Sequence, residues 1–309
     1  MFQSSILVIG AGDVGSFAAA VMARKQLGTI YLYDTVEELS VGKAMDINHA
    51  SPYLYTDTRV VGCNTLEEIK EVDIVVITAG FARKAGMTRL DLLQGNISII
   101  EGIGQWISAL AVAPKVLIVT NPVDVLTWYM KNRWPEMNVF GLGCALDTMR
   151  FRFFLAEAVR GSVDCSRGMV IGTHNDNMIP LINHATIGGV PAKHLLTEDQ
   201  ISTIIGNTRQ AGTVITQKKR NHSGFYAAGH VVTQIVESMV FNRLGTFPLS
   251  VYCSNDYGYT GICLALPAVV GKDGIERILD IELDKSEQEA LEVCAAAMEK
   301  TIAEINGKR

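Results

Sequence analysis

Ser5 to Ile9 is a short apolar run rich in branched side chains, and it passes without a break into Gly10-Ala-Gly12-Asp-Val-Gly15 and then into the small residues of Ser16 to Lys25. A strand, a glycine turn and a helix in immediate succession leave few folds open, because this spacing lets a backbone close up against a pyrophosphate. Gly10 allows the tight turn, Gly12 the approach of a phosphate and Gly15 the close packing of helix on strand. The phosphates then lie at the helix N-terminus, where unpaired N–H groups point. The next strand, Thr29-Ile-Tyr-Leu-Tyr33, ends in Asp34. That is about 20 residues past the turn, where an acid can accept both hydroxyls of an adenosine ribose and repel a 2′-phosphate. No arginine follows closely, the next basic residue being Lys43, so turn and acid together read as binding NAD rather than NADP. Taken alone, Asp34 also fits an ordinary strand-end turn.

Helical patterns over 36–48 and 66–70 alternate with apolar strands at 59–62, 73–77 and 116–119, and a helix over 92–111 separates the last two strands. Continuous apolar strands alternating with helices predict a parallel, doubly wound sheet buried on both faces. A last strand at Asn138-Val-Phe-Gly141 puts the domain boundary near Gly143. The fold class is therefore α/β, with an N-terminal Rossmann domain for NAD over 1–143 and a second, α+β catalytic domain over 144–309. In the second domain the pattern predicts helices at 146–159, 197–218, 226–242 and 286–305 and strands at 168–172, 246–252 and 262–270. At 309 residues and 48% hydrophobic content the chain can build cores for both.

A net charge of −5 gives no footprint for nucleic acid, so any anion has to be met by local arginines. Cys63, Cys144, Cys165, Cys253, Cys263 and Cys294 are scattered, without a C-x-x-C, as expected of reduced thiols in the cytoplasm. Met1-Phe-Gln-Ser-Ser has no basic region before its apolar run, and that run is broken by Gly10, Gly12 and Asp13. We therefore expect neither a secretory signal nor a membrane span. No metal-ligand cluster, repeat or low-complexity tract stands out.

The buried-looking strand ending at Ile77 opens into Thr78-Ala-Gly80 and then a loop carrying Arg83, Lys84, Gly86 and Arg89 before the helix that holds Asn96. Ligands of open α/β sheets bind at the carboxyl ends of the strands, so Thr78 and Gly80 are candidate cofactor contacts. The loop has the composition of a lid that captures an anion, since arginine meets a carboxylate bidentately. A solvated basic surface loop has the same composition. Thr120-Asn121-Pro122-Val-Asp124 caps the next strand, and Pro122 holds Asn121 extended at the sheet edge, in reach of nicotinamide ribose or substrate. An Asn-Pro turn explains the dipeptide equally well. Asp147 and Arg150 share a helix face, where an i,i+3 salt bridge is the ordinary expectation. Gly168-Met-Val-Ile-Gly172 ends in Thr173-His174-Asn175-Asp176, and a strand-end histidine oriented by a buried carboxylate suits reversible proton transfer. His49, His184, His194, His222 and His230 have no such setting.

In order and spacing, the glycine turn, Asp34, the Arg83 to Arg89 loop, Thr120-Asn-Pro-Val-Asp124, Leu146-Asp-x-x-Arg150 and Gly172-Thr-His174-x-Asp176 resemble the lactate and malate dehydrogenases. Thr208-Arg-Gln-Ala-Gly212, Gly224-Phe-Tyr-Ala227 and Leu266-Pro-Ala-Val-Val-Gly271 look like later segments of the same family, and the whole is most similar to its lactate-dehydrogenase-like malate dehydrogenases. The resemblance implies that His174 exchanges the substrate proton while Asp147 holds its ring, and that Arg150 grips the carboxylate beside the reacting carbon. It also implies that Arg89 polarises the carbonyl, that Asn121 bonds near the reacting oxygen, and that Gly10, Gly12, Gly15, Asp34, Thr78, Gly80, Asn96 and Asn121 hold NAD. Arg83 falls where the family's malate enzymes carry arginine and its lactate enzymes usually glutamine, so the implied substrate is a small dicarboxylate. Physically, a lid cation left facing a methyl group would be stranded.

Gly224 falls at a substrate-facing position of the family. The family's usual glycine after the histidine is Asn175 here, a residue that tolerates a left-handed backbone, and Ala85 stands where many malate enzymes have proline. A homodimer or homotetramer is implied as well. The alternatives carried forward are a lactate dehydrogenase, an NAD-dependent glycosidase on a related fold, and a silent NAD-binding module.

Overall fold

The computed structural model describes residues 4–81, 89–220 and 222–307, with only the backbone of residues 89 and 90. In chain order the first half is β1 (Ser5–Ile9), α1 (Asp13–Arg24), β2 (Thr29–Tyr33), α2 (Leu39–His49), α3 (Ser51–Leu54), β3 (Val60–Cys63), β4 (Ile74–Ile77), α4 (Arg89–Ser108), β5 (Lys115–Ile118), α5 (Val123–Arg133) and β6 (Asn138–Gly141). These six strands are parallel and stand in the order β6-β5-β4-β1-β2-β3. The chain starts in the middle of the sheet, builds one half outward, then returns to build the other. Every residue of β4 is buried, as its unbroken Ile-Val-Val-Ile requires of a strand covered on both faces.

The second half runs α6 (Ala145–Ala158), β7 (Ser166–Arg167), β8 (Val170–Ile171), β9 (Ile179–Pro180), β10 (Thr186–Ile187), β11 (Val190–Pro191), α7 (Ala192–Leu195), α8 (Glu198–Lys218), α9 (Tyr226–Val240), β12 (Gly245–Asp256), β13 (Tyr259–Gly271), β14 (Gly274–Ile278) and α10 (Lys285–Asn306). Strands β12, β13 and β14 form an antiparallel meander that joins the parallel sheet beside β6, making nine strands in one layer. The junction is tight. Gly143 is left-handed at φ +52, and a Cβ there would stand 2.4 Å from the Ser250 nitrogen.

The two halves share a core. Val8, Phe140, Val232, Leu249 and Leu264 belong to one buried cluster, while Phe151, Leu155, Val170 and Ile204 form a smaller one under α6 and α8. Each fully buried side chain of this size contributes about 1.5–3 kcal/mol by leaving water. Helix α1 also packs on α9, where Gly229 makes room for Phe17, and Lys25 reaches Glu237 at 2.8 Å.

Most elements match their sequence patterns. Helix α5 does not emerge from its pattern, because all residues from Val123 to Met130 are buried and no polar face marks the period. Strand β14 is short and carries mixed polarity, and the strand expected over 168–172 shrinks to the two residues of β8.

Candidate active site

The glycine turn is held from three sides. Gly10 donates its N–H to the Tyr33 carbonyl at 2.8 Å, and Thr78 Oγ1 donates toward the Ile9 and Gly10 carbonyls at 3.2 and 2.9 Å. Asp34 Oδ2 accepts the Ala11 N–H at 2.7 Å and Oδ1 accepts that of Val36 at 3.0 Å. A Cβ on Gly15 would fall 1.9 Å from the Gly10 carbonyl oxygen, so helix and turn meet only through glycine. On Gly12, by contrast, a Cβ would meet nothing within 4 Å: that side of the turn is open at the N-terminus of α1. Lys43, read from the sequence only as a distant base, in fact bonds the Ala11 carbonyl at 2.6 Å and the Ser16 hydroxyl at 3.3 Å, bringing a cation to the turn.

Asn96 is buried at the start of the cleft. Its Oδ1 accepts the Phe81 N–H at 2.8 Å and its Nδ2 donates to the Asn121 carbonyl at 2.7 Å, so it ties the strand ends of β4 and β5 together. Gly80 lies against Thr120 and Asn96, with no room for a Cβ beside the Thr120 methyl at 2.4 Å. Asn121 is exposed at the same edge, and its peptide to Pro122 is cis.

A second cluster is built around Asp147, fully buried in the first turn of α6. Its Oδ2 meets His174 Nδ1 at 2.6 Å and its Oδ1 accepts Arg150 Nη1 at 2.8 Å. The i,i+3 pair is thus one arm of a three-residue cluster, which helix geometry alone could not reveal. Asp147, Arg150 and His174 line one cavity of about 340 Å³ with Arg209, Gly212 and Thr216 of α8. In the histidine loop the positive φ falls at Gly172 (+96), and Asn175 is not left-handed; instead its Oδ1 accepts the Asn177 N–H at 2.8 Å and organises the turn. Gly224 packs on Ile215 of α8. Arg83 and Ala85 lie outside the described residues, and Arg89 is described only as the first backbone residue of α4.

Family models match over both halves: lactate/malate dehydrogenase, NAD binding domain, over residues 4–141, and lactate/malate dehydrogenase, alpha/beta C-terminal domain, over residues 144–308. The chain belongs to the lactate/malate dehydrogenase family. A malate dehydrogenase from Chlorobium phaeovibrioides is 38% identical over 299 residues, 96% of each chain. Among solved structures, the apo malate dehydrogenase of Picrophilus torridus matches with a TM-score of 0.93 at 35% identity, covering 98% of both chains. The lactate dehydrogenase of Eimeria maxima with NADH and oxamate matches with a TM-score of 0.93 at 31% identity, covering 99% of this chain and 96% of that one. The resemblance and the α/β class read from the motifs are borne out.

Within this family member the electrostatics of the cluster follow from burial and pairing. Burial by itself pushes His174 down, but the charge and hydrogen bond of Asp147, helped by Asp124, outweigh it and its pKa is raised despite the nearby Arg150. Burial would likewise raise Asp147; the charges and hydrogen bonds of His174 and Arg150 more than offset this and hold it below the usual carboxylate range. Asp124 carried no role in the sequence reading. It is buried at the start of α5 and its Oδ2 accepts the backbone N–H of His174 at 2.8 Å. A carboxylate inside an otherwise apolar helix start is the one signal that could have marked it.

Proposed function

We propose that this chain is an NAD-dependent malate dehydrogenase, interconverting (S)-malate and oxaloacetate with His174 as the proton-exchanging group. The observation that carries the reading is the buried Asp147 carboxylate shared between His174 Nδ1 and Arg150 Nη1 at the wall of one cavity. The open, Cβ-free approach at Gly12, the helix N-terminus behind it and the fixed Asp34 carboxylate fit the pyrophosphate and adenosine ribose of NAD. Gly10, Gly12, Gly15 and Asp34 would hold that half, with Gly80 and Asn121 near the nicotinamide and Thr78 and Asn96 keeping the strand ends in place. When bound, NADH supplies the hydride that adds to C2 of the 2-oxo acid, and NAD⁺ accepts it in reverse.

A carboxylate can only accept, so Asp147 selects the tautomer of His174 that donates from Nδ1 and turns Nε2 toward the cavity. In reduction the imidazolium gives its Nε2 proton to the carbonyl oxygen; in oxidation the neutral ring takes the hydroxyl proton back. Arg150 pairs with the carboxylate next to C2. Arg89 polarises the carbonyl, and Arg83 neutralises the far carboxylate of the diacid, which is what separates malate from lactate. Support for the dicarboxylate comes from relatives named malate dehydrogenase and from Arg83 in the family's selective position.

Steady-state NADH oxidation over a panel of 2-oxo acids tests this. Oxaloacetate should exceed pyruvate in kcat/KM by at least about a hundredfold, the discrimination expected when the wrong substrate strands a buried charge; preference for pyruvate would make the chain a lactate dehydrogenase. Assembly as a homodimer or homotetramer belongs to the same reading, supported by Tyr53 and Tyr55, 87% and 92% exposed on and just after α3, and checked by sedimentation velocity. A cytoplasmic location does too, supported by six free thiols and checked by cell fractionation. Among the described residues no helix is long and apolar enough to cross a membrane.

A further inference from the structure

An acid in the first turn of a helix ordinarily bonds or faces that helix's own free N–H groups. Asp124, the second residue of α5, does not. One oxygen accepts the main-chain N–H of His174, fifty positions along the chain and in the other half of the molecule. The other oxygen, Oδ1, is buried without a well-formed hydrogen bond, and so is the hydroxyl of Ser250 on β12. That hydroxyl is still near enough, together with the His174 amide, to oppose the rise in pKa that burial imposes on Asp124. Asp124 is only 6% exposed. Burying a carboxylate with one oxygen unmatched is unfavourable for folding, so stability alone does not account for it.

Its place explains it better. Asn121 stands three residues before Asp124, just ahead of α5, so the strand-edge asparagine of the cofactor half and the anchor of the histidine sit together at the start of this helix. We propose that Asp124 is a positioning residue: by fixing the main chain of His174 it sets the imidazole at once against Asp147 and at a constant distance from the cofactor-binding edge. His174 is then held at two points, its ring by Asp147 and its backbone by Asp124. The other groups facing this region are Arg150 from α6, the thiols of Cys144, Cys263 and Cys294, each kept protonated by burial, Arg209, which donates from Nε to the Met178 carbonyl at 3.1 Å, and Asp176, Lys300 and Glu304, which line one cavity with Asp124 and His174. None of them reaches the His174 N–H.

This inference rests on the proton-exchanging role proposed for His174, and the test separates the two. Asp124→Ala and Asp124→Ser remove the acceptor, whereas Asp124→Asn keeps an oxygen in the same place. The truncated variants should bind NADH within about twofold of wild type and reduce oxaloacetate with kcat lowered by about thirty- to a hundredfold and KM little changed, as expected for a reacting group displaced by a fraction of its reach. Asp124→Asn should stay within about fivefold. In the truncated variants the pH at which reduction fails should move down further than in Asp124→Asn, because beyond the lost Asp124 charge a loosened ring loses part of Asp147's support, and the solvent isotope effect on kcat should rise. A folded, NADH-binding Asp124→Ala or Asp124→Ser with wild-type kcat and pH profile overturns the proposal, as does an Asp124→Asn that fails as badly as alanine. The NMR titration of the His174 ring in the same proteins reads its position without turnover. Loss of the Asp124 charge by itself lowers the His174 titration, so the comparison is with Asp124→Asn, which loses the same charge. Truncated variants that titrate with Asp124→Asn reject the positioning role even if the chain reduces no 2-oxo acid at all, and a titration lowered beyond that of Asp124→Asn supports it.

Discussion

At the scale of single residues the site is a contest over one buried carboxylate. Asp147 raises the affinity of His174 for its proton, so reduction, which in the proposed mechanism consumes the imidazolium, should hold at low pH and fail as pH rises through the raised pKa of His174. Oxidation needs the neutral ring and should fail in the opposite direction. Asp147→Asn should lower kcat by roughly 10²–10⁴-fold and move the alkaline limit of reduction toward lower pH; pH profiles of kcat/KM for both directions check the sign. His174→Asn should abolish turnover while NADH titration by fluorescence stays intact, and Arg83→Gln should lose most oxaloacetate activity while gaining relative pyruvate activity. Each of these residues could be named from its place in a motif. The link of Asp147 to His174 could be suspected from the motif but not measured, and the link of Asp124 to His174 left no trace in the linear pattern, because main-chain partners are invisible there.

At the scale of elements the glycine turn and the helix caps carry the argument. Gly15→Ala forces a methyl into the Gly10 carbonyl, so the turn must open. NADH affinity should fall at least about tenfold, since the phosphate-facing amides lose their arrangement; unchanged binding by calorimetry would show that the turn relaxes without harm. Asp284 caps α10 by accepting the Glu287 N–H at 2.9 Å, with Glu287 returning a bond to the Asp284 N–H. Asp284→Ala should lower stability, read as a downward shift in the urea midpoint at unchanged slope. The amphipathic α8, opened by its Thr197–Gln200 capping box, was legible because one face is wet and the other dry. Helix α5 was not, since burial on all sides erases the period that sequence reading depends on.

For the whole molecule, the nine-stranded layer makes the two halves one cooperative body. Trp106, Trp128 and Trp134 all lie in the first half, so their fluorescence reports that half while far-UV circular dichroism reports both. Urea transitions by the two probes should coincide; separate midpoints would mean that the β12–β14 meander leaves the sheet before the Rossmann strands do. The pH dependence of stability follows from the same cluster. The share due to Asp147 is present above its unfolded pKa and is lost as pH falls through the lowered folded value. The share due to His174 is complete below its unfolded pKa and is lost as pH rises through the raised folded value. Thermal melts across that range should peak between the two limits. Residue order alone decides the parallel strands, the glycine turn and the identity of the chemical groups, because periodicity and backbone sterics are local and act before any long-range contact forms. Folding decides the rest: that the meander completes the sheet, that Lys43 comes home to the turn, and that two carboxylates from different halves close on one histidine. Those are distances between segments far apart in the chain, and only packing sets them.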